Sequence, residues 1–225
     1  MTDELVRLER VTCRYGREPV LVGVDLVVRA GDFVGVVGPS GSGKTTLLNL
    51  LGGLDRPTQG EVWLGDTRLD TLSRDRLAKV RLREIGFVFQ SYNLLPVLSA
   101  LENAAFVLEL RGVPRRERER RALEALESLG IAELAGRRPN ELSGGQQQRV
   151  AVARALAGRP RVILADEPTA NLDTATGLAL IELMRRLNRE QGVTFVFSTH
   201  DPRLLERVDR IVRLEDGRIA ADERR

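Results

Sequence analysis

Short apolar runs alternate with amphipathic segments in the first 90 residues of the chain and again after residue 157. Compact apolar runs bounded by Gly, Pro or Asp are typical of buried strands, and apolar positions three or four residues apart are typical of helices. The pattern predicts strands at 5–14, 19–29, 32–37, 61–64, 85–90, 162–165, 193–198 and 210–214. It predicts helices from 44 to the glycine pair at 52–53, at 73–83 and at 174–190. Strands that alternate with helices build parallel sheets, so we predict an α/β fold with a mainly parallel sheet.

The stretch between residues 91 and 157 has a different pattern, because its periodicity is helical throughout. It predicts helices at 100–111, 115–129 and 143–157. We therefore predict a single domain, 1–225, whose core (1–90 and 158–225) carries an inserted helical subdomain (91–157). The first two predicted strands meet at a turn that contains Gly16, and they predict an antiparallel N-terminal β subdomain within the core.

The composition is that of a globular protein, with 225 residues, 42% hydrophobic residues and one cysteine. It excludes disordered chains and disulfide scaffolds. The longest charge-free stretch, 85–101, is interrupted by polar residues and by Pro96, so it predicts no membrane span. The first twenty residues lack the apolar segment of a secretory signal, which predicts a cytoplasmic location. Cys13 lies in a predicted strand, and we interpret it as a half-buried structural thiol.

The net charge is +3, from 35 Lys and Arg against 32 Asp and Glu. This excess is small for a protein that binds a nucleic-acid duplex, so we predict no nucleic-acid partner. The arginine cluster, residues 115–121, combines five Arg with two Glu. A solvated helix face is one interpretation of this cluster, and contact with anionic lipid headgroups is the other.

A glycine-rich sequence follows the predicted strand 32–37 and opens a helix, which is the context that a phosphate-binding loop requires. Glycines let backbone N–H groups turn toward phosphates, and the helix N-terminus favours their negative charge. Lys44 is predicted to contact the phosphates, and the Thr45 hydroxyl is predicted to bind Mg²⁺. The predicted nucleotide-binding residues here are Gly38, Pro39, Ser40, Gly41, Ser42, Gly43, Lys44, Thr45 and Thr46.

Two carboxylates follow the apolar run 162–165. A phosphate-loop enzyme needs an acid at this point to hold Mg²⁺, and Asp166 is predicted to do so. Glu167 is predicted to act as the general base that activates water. Two acids at a strand end are also common as a solvated terminus, but the neighbouring phosphate loop makes that alternative weak.

Ser143 precedes another predicted helix, with Gly144, Gly145 and Gln146 in its first turn. Ser143 can cap this helix, and the two glycines leave its amide groups open to an anion. One nucleotide cannot occupy both helix starts of the same chain. We therefore predict that this second site closes on the nucleotide of a neighbouring subunit, with a simple Ser-capped helix as the alternative.

The segment Leu142–Gln146, followed by Gln147, Gln148 and Arg149, resembles the signature of ATP-binding cassette (ABC) ATPases. The resemblance extends from about residue 5 to residue 219, and it implies a P-loop NTPase core of the RecA-like type with ATP and Mg²⁺ as ligands. Further positions match the family in order. Tyr15 corresponds to the aromatic residue that stacks on adenine, and His200 corresponds to the switch histidine. Gln90 corresponds to the coupling-loop glutamine, which is expected to bind Mg²⁺ and to contact the reacting groups. The interface loop corresponds to Asn171, Leu172 and Asp173.

The segments 85–96 and 164–169 are most similar to the macrolide-exporter and lipoprotein-release group, although Ala170 stands where that group has Gly. The resemblance implies an ATPase subunit that forms a homodimer with ATP and drives an integral membrane permease. It also implies a peripheral position at the cytoplasmic face of the cell membrane. Regulation of a cell-division or cell-wall complex is an open alternative.

A soluble ABC ATPase acting on nucleic acid is less compatible with the sequence. Such proteins carry long insertions, cysteine-rich zinc modules or two cassettes, whereas Gln90 and Leu142 are close in this chain, which has one cysteine and one cassette.

Overall fold

The structure, a computed structural model, describes residues 4–16 and 18–225. The strands are β1 (Glu4–Tyr15), β2 (Glu18–Arg29), β3 (Phe33–Val37), β4 (Gln59–Leu64), β5 (Thr67–Arg68), β6 (Ile85–Val88), β7 (Val162–Ala165), β8 (Thr194–Ser198), β9 (Arg210–Glu215) and β10 (Arg218–Arg224). The helices are α1 (Lys44–Leu51), α2 (Arg74–Glu84), α3 (Ala100–Leu110), α4 (Arg115–Ser128), α5 (Gly144–Ala157), α6 (Thr174–Gln191) and α7 (Pro202–Leu205). Two short 3₁₀ turns, Ala132–Leu134 and Pro139–Glu141, precede α5.

The strands form two sheets. A six-stranded sheet has the order β10-β9-β3-β8-β7-β6, and every neighbouring pair in it is parallel except β10 with β9. A four-stranded antiparallel sheet has the order β2-β1-β4-β5. The predicted α/β class, with a mainly parallel sheet and an antiparallel N-terminal sheet, is therefore confirmed.

The central strands are buried because their side chains are apolar on both faces, as expected for a parallel sheet covered by other elements. All five residues of β3 and all five of β8 are buried. The Phe33 ring packs edge-on against Phe195, with ring centroids 5.7 Å apart. The parallel register of β3, β8 and β7 places the carboxyl ends of these strands at one edge of the sheet, where the loops that carry the predicted chemistry begin.

The helical stretch packs α3 against α4 and α5, and its buried side chains belong to the same apolar cluster as Phe33, Ile163 and Phe195 of the central sheet. Ser99 and Glu102 form a capping box at the start of α3. At the other end of α3, the Arg111 guanidinium donates to the carbonyls of Leu82, Arg83 and Gly158. One side chain thereby ties the end of α3 to the C-terminal ends of α2 and α5, whose last carbonyls need donors.

The arginine cluster of α4 is largely paired within the chain. Arg115 forms an ion pair with Glu119, and Arg120 pairs with Glu117 and Glu124. Arg121 turns inward and donates to the carbonyl of Ala157. These contacts favour the solvated-face interpretation of the cluster, because little of its charge is left free.

The structure differs from the predictions in several places. β10 follows the strand that was predicted to be the last, and β5 and α7 were not predicted. β10 is an edge strand with mostly exposed, charged side chains, so it lacks an apolar pattern. β6 ends at Val88, two residues earlier than predicted. Cys13 is buried, at 2% exposure, and not half-buried. No helix in the described ranges is long and apolar enough to cross a membrane.

Candidate functional site

The phosphate loop connects β3 to α1, as its sequence predicts. Gly43 is the N-cap residue of α1, and it offers no side chain to the first amides of the helix. Lys44 is buried and its Nζ donates to the carbonyls of Gly38 and Pro39, each at 2.9 Å. Free amides and a compact cation thus share one end of α1, which is a favourable arrangement for a phosphate group.

The loop fits an anion in two further respects. Gly41 and Gly43 have φ values of 80° and 100°, in the region that favours glycine, and a side chain on Gly43 would lie 2.8 Å from Leu21. The Ser42 hydroxyl is buried and has no hydrogen-bond partner among the described residues. A buried polar atom without a partner costs free energy, and a phosphate oxygen would satisfy it.

Thr45 and Asp166 meet across the mouth of the loop. The Thr45 hydroxyl donates to Asp166 Oδ2 at 2.9 Å, although the two residues are 121 positions apart in the chain. The parallel register of β7 and β8 brings Asp166 to this edge of the sheet. A hydroxyl and a carboxylate are oxygen ligands of the kind that Mg²⁺ prefers. Among the described residues, no group of three or more His, Cys, Asp or Glu side chains is placed to hold a metal ion.

Glu167 has an unusual backbone conformation, with φ at 43°. Such left-handed residues are costly and cluster at functional sites. The Glu167 amide donates to Ser198 Oγ at 2.8 Å. On its other side, Glu167 Oε2 lies 3.3 Å from Nδ1 of His200, whose ring is exposed. The carboxylate is therefore directed toward His200 and the loop.

Six of the nine predicted loop residues line one cleft of about 510 Å³ together with Glu167 and His200, whereas Gly38, Pro39 and Ser42 of the loop and the predicted metal ligand Asp166 are not part of its lining. Its lining is Val20, Ser40, Gly41, Gly43, Lys44, Thr45, Thr46, Glu167 and His200. Residues 143–146 do not contribute to this cleft. Within one chain, the phosphate loop and residues 143–146 therefore do not line a common cleft.

Tyr15 lies at the end of β1 and is 55% exposed. Its hydroxyl donates to Asp55, which also accepts from Asn49 Nδ2 at 3.1 Å. Desolvation of the hydroxyl, followed by the hydrogen bond to Asp55, raises the pKa of Tyr15 from 10 to about 12. The ring face remains accessible, so the predicted stacking on a base remains a prediction.

The signature residues begin α5. Ser143 is the N-cap, and it forms a capping box with Gln146 through hydrogen bonds of 2.9 and 3.3 Å. The glycines also have a packing reason that sequence reasoning missed. A side chain on Gly144 would lie 2.9 Å from the Tyr92 hydroxyl, and one on Gly145 would lie 2.4 Å from Thr176.

Gln90 is exposed and does not contribute to the lining of the phosphate cleft. Its carbonyl accepts from Asn171 Nδ2 at 3.0 Å, which links the coupling loop to the interface loop. Asp173 then caps α6, and the Thr176 hydroxyl and amide lower the pKa of its carboxyl group. The predicted contact of the Gln90 side chain with Mg²⁺ and the reacting groups stays a prediction.

Two residues of the site, Val20 in the cleft lining and Ser198 beside it, were not predicted from sequence. Ser198 is fully buried at the end of β8, and its hydroxyl contacts both Asp166 and the Glu167 amide. The sequence does contain an indication of this residue, because Ser198 is a polar residue at the end of a buried apolar strand, two positions before His200. Its partners could not be inferred without the register of the sheet.

The comparisons with known proteins agree with this geometry. The family model described as ABC transporter matches residues 21–170. A lipoprotein-releasing system ATP-binding protein, LolD of Anaeromyxobacter dehalogenans, is 52% identical over 91% of this chain and 86% of its own length. A macrolide export ATP-binding/permease protein, MacB of Rhodopirellula baltica, is 48% identical over 92% of this chain, which spans only 30% of that longer protein.

A solved structure has nearly the same length and shape. The ATP-binding cassette MJ0796, in a dimeric post-hydrolysis state bound to ADP and Pi, is 45% identical with a TM-score of 0.87, and 98% of each chain is covered. That protein comes from Methanocaldococcus jannaschii. The phosphate loop, the acidic strand end and these similarities lead to one conclusion: the chain belongs to the ABC transporter family, as an ATP-binding, ATP-hydrolysing cassette of the group that includes LolD and MacB.

Proposed function

We propose that this cassette binds two ATP molecules between two copies of the chain, and that closing and reopening of the dimer drives a membrane permease. The observation that carries this proposal is the hydrogen bond to Asp166 from Thr45, which lines the cleft together with Glu167 and His200. In this proposal the four residues surround the γ-phosphate of one ATP molecule, so that ATP binding and ATP hydrolysis take place in the same cleft.

The protein groups divide the hydrolytic work. Lys44 and the amides of α1 hold the phosphates, and Tyr15 stacks on the adenine. Glu167 accepts a proton from the attacking water, whose oxygen forms a bond to the γ-phosphorus while the bond from the γ-phosphorus to the bridging oxygen of the β-phosphate breaks and ADP leaves. His200 orients Glu167 through their 3.3 Å contact and donates to the γ-phosphate.

Mg²⁺ is part of the proposal as a ligand of Thr45 and Asp166, with Gln90 approaching when the dimer closes. When bound, Mg²⁺ neutralises charge on the phosphate oxygens. The Ser42 hydroxyl, which has no hydrogen-bond partner in the described part of the chain, and the Thr45–Asp166 pair support the fit of a nucleotide with its metal.

The dimer explains the two separate helix starts. Residues 143–146 do not line the cleft of their own chain, so we assign them to the ATP of the partner chain. ATP then binds the closed state more tightly than the open state, which is the condition for a ligand to shift that equilibrium. The dimeric structure of MJ0796 supports this arrangement.

The permease needs a surface on the cassette. An apolar groove of about 330 Å³ lies between α2, β6 and α3. Leu54 and Leu110 are 43% and 57% exposed beside it, and the rings of Phe87 and Phe89 stack at 6.0 Å. Exposed apolar patches of this kind mark interaction sites. We assign the groove to a cytoplasmic segment of the permease, which holds the cassette peripherally at the cytoplasmic face of the cell membrane.

The helical stretch 91–157 carries both one wall of this groove and the signature residues. We therefore propose that it acts as a subdomain that transmits motion from the permease to the partner's ATP.

The test is capture of tagged Glu167→Gln protein from gently solubilised membranes in ATP and Mg²⁺, with mass spectrometry of what accompanies it. We expect an integral membrane protein in this sample and less of it with a Lys44→Ala control, which cannot hold ATP. Recovery of only water-soluble proteins or nucleic acid would overturn the permease assignment.

A further inference from the structure

Two consecutive residues after Gln90 have left-handed backbones. Tyr92 and Asn93 have φ values of 59° and 50°. Their amides donate to the carbonyls of Phe89 and Ser91, which closes a tight turn. Residues with a side chain seldom adopt this conformation, and they keep it only when surrounding contacts hold it. We name residues 91–93 the coupling turn.

Arg154, in the last turn of α5, supplies that contact. Its Nη2 donates to the carbonyl of Tyr92 at 2.9 Å, and its Nη1 donates to the carbonyl of Asn93. The planar guanidinium suits two neighbouring acceptors, whereas a lysine ammonium has no such fork. Burial lowers the pKa of Arg154, and the two carbonyls compensate its guanidinium for lost water.

The coupling turn is also held at two other points. The Tyr92 hydroxyl lies against Gly144, at the start of α5, and Asn171 donates to the carbonyl of Gln90. The turn therefore contacts α5 near both of its ends. Movement of the turn must move the signature residues at the start of this helix, unless the contact with Arg154 breaks.

We propose that Arg154 is a positioning residue for the ATPase cycle: its guanidinium holds the left-handed coupling turn, so that Gln90 and the signature start of α5 move as one unit. This inference rests on the proposed function, because movement of α5 affects hydrolysis only if residues 143–146 contact the ATP bound to the partner chain. Arg154 itself lines the apolar groove assigned to the permease, beside Phe89 and Phe106.

The experiment compares wild type, Arg154→Met, Arg154→Lys and the double variant Arg154→Met with Asn93→Gly. Glycine adopts the left-handed region at little cost, so it restores the turn without the guanidinium. Arg121→Met is the matched control, because Arg121 also donates to a carbonyl of α5 but far from the turn. Two quantities are measured: hydrogen exchange of the amides of 91–94 without nucleotide, and kcat and KM for ATP.

We expect exchange in the coupling turn of Arg154→Met to rise about tenfold or more, while exchange in the sheet strands stays unchanged. We expect kcat to fall about tenfold with KM for ATP within about twofold, because the phosphate loop is not touched. Arg154→Lys should resemble Arg154→Met, which covers the case in which the methionine variant fails to fold. Asn93→Gly should restore most of the protection and turnover in the double variant.

Unchanged exchange in both Arg154 variants would overturn the inference. Equal losses in Arg121→Met, or no recovery with Asn93→Gly, would reduce Arg154 to an ordinary packing residue. Hydrogen exchange is measured without nucleotide, so it tests the contact between Arg154 and the coupling turn independently of ATP hydrolysis. An inactive wild type would count against the proposed function and leave the exchange result valid.

Discussion

Ser198 Oγ lies 2.7 Å from Asp166 Oδ1, and it donates to this carboxylate while it accepts from the Glu167 amide. The opposite oxygen of Asp166 accepts from Thr45. One buried hydroxyl thereby orients the acid assigned to Mg²⁺ and fixes the backbone of the assigned base. The four residues come from the ends of β7 and β8 and from the start of α1, and they form one hydrogen-bonded unit.

Ser198→Ala should remove this connection. It leaves the Glu167 amide without its partner, so we expect a loss of about 1–3 kcal/mol in the free energy of unfolding. We also expect kcat for ATP to fall about tenfold with little change in KM, because the carboxylates lose their orientation and the phosphate loop does not. Steady-state kinetics and denaturant titration measure both effects. Ser198→Thr keeps the hydroxyl and should retain most activity; a Thr variant as impaired as Ala would contradict this role.

Glu167→Gln should separate ATP binding from hydrolysis. The amide keeps the size of the side chain but cannot accept a proton, so turnover should fall by about 10²- to 10⁴-fold. Light scattering after size-exclusion chromatography should then show a long-lived dimer in ATP and a monomer without it. Turnover equal to that of wild type would remove Glu167 from the role of base.

A mixture of two inactive variants should recover activity if residues 143–146 act on the partner's ATP. Ser143→Arg blocks the signature start, and Lys44→Ala disables the phosphate loop. A mixed dimer has one intact pair, with Lys44 from the first variant and Ser143 from the second. We expect turnover in the mixture and none in either variant alone. An inactive mixture that still forms mixed dimers would argue against action in trans.

Tyr15 should titrate late. Its pKa is raised to about 12, so the folded state holds the phenol proton more tightly than the unfolded state, whose tyrosine has a pKa of 10. The stability that this gives is complete below pH 10 and is lost as the pH rises toward about 12. Tyrosinate absorbance in a Tyr92→Phe background reports Tyr15 alone, because the chain has two tyrosines. Asp55→Asn should shift its titration to lower pH, and an unshifted curve would exclude Asp55 as a cause.

Membrane recovery should depend on the apolar groove and not on the arginine cluster. Leu54 and Leu110 are exposed beside the groove, whereas Arg115 is already paired with Glu119. We expect Leu54→Asp with Leu110→Asp to reduce the membrane-bound fraction, because a carboxylate in an apolar contact is costly. Arg115→Gln with Arg116→Gln should leave that fraction unchanged. The reverse result would favour contact between the cluster and lipid headgroups.

Local patterns were enough to predict much of this protein. The phosphate loop is contiguous, so its glycines, Lys44 and the helix that follows could be interpreted without tertiary structure. The buried strands of the parallel sheet were equally clear, because both of their faces are apolar and their runs are uninterrupted. The capping function of Ser143 followed from residue type and position alone.

Strand β10 could not be predicted from local sequence patterns. Its exposed, charged residues carry no hydrophobic period, and Arg210 on the neighbouring strand β9 holds it by donating to Asp222 of β10, with hydrogen bonds of 2.6 and 2.7 Å. The pairing partner, and not the local pattern, makes this segment a strand.

The amino-acid sequence by itself determined the class of fold and predicted the residues that contact a nucleotide, because each motif is short and its chemistry depends on neighbours in the chain. Only the tertiary structure decided that Ser198 joins Asp166 to Glu167 and that Arg154 holds the turn after Gln90. Those contacts connect residues 31 to 62 positions apart. Such pairs are set by strand register and helix packing, which no local pattern encodes.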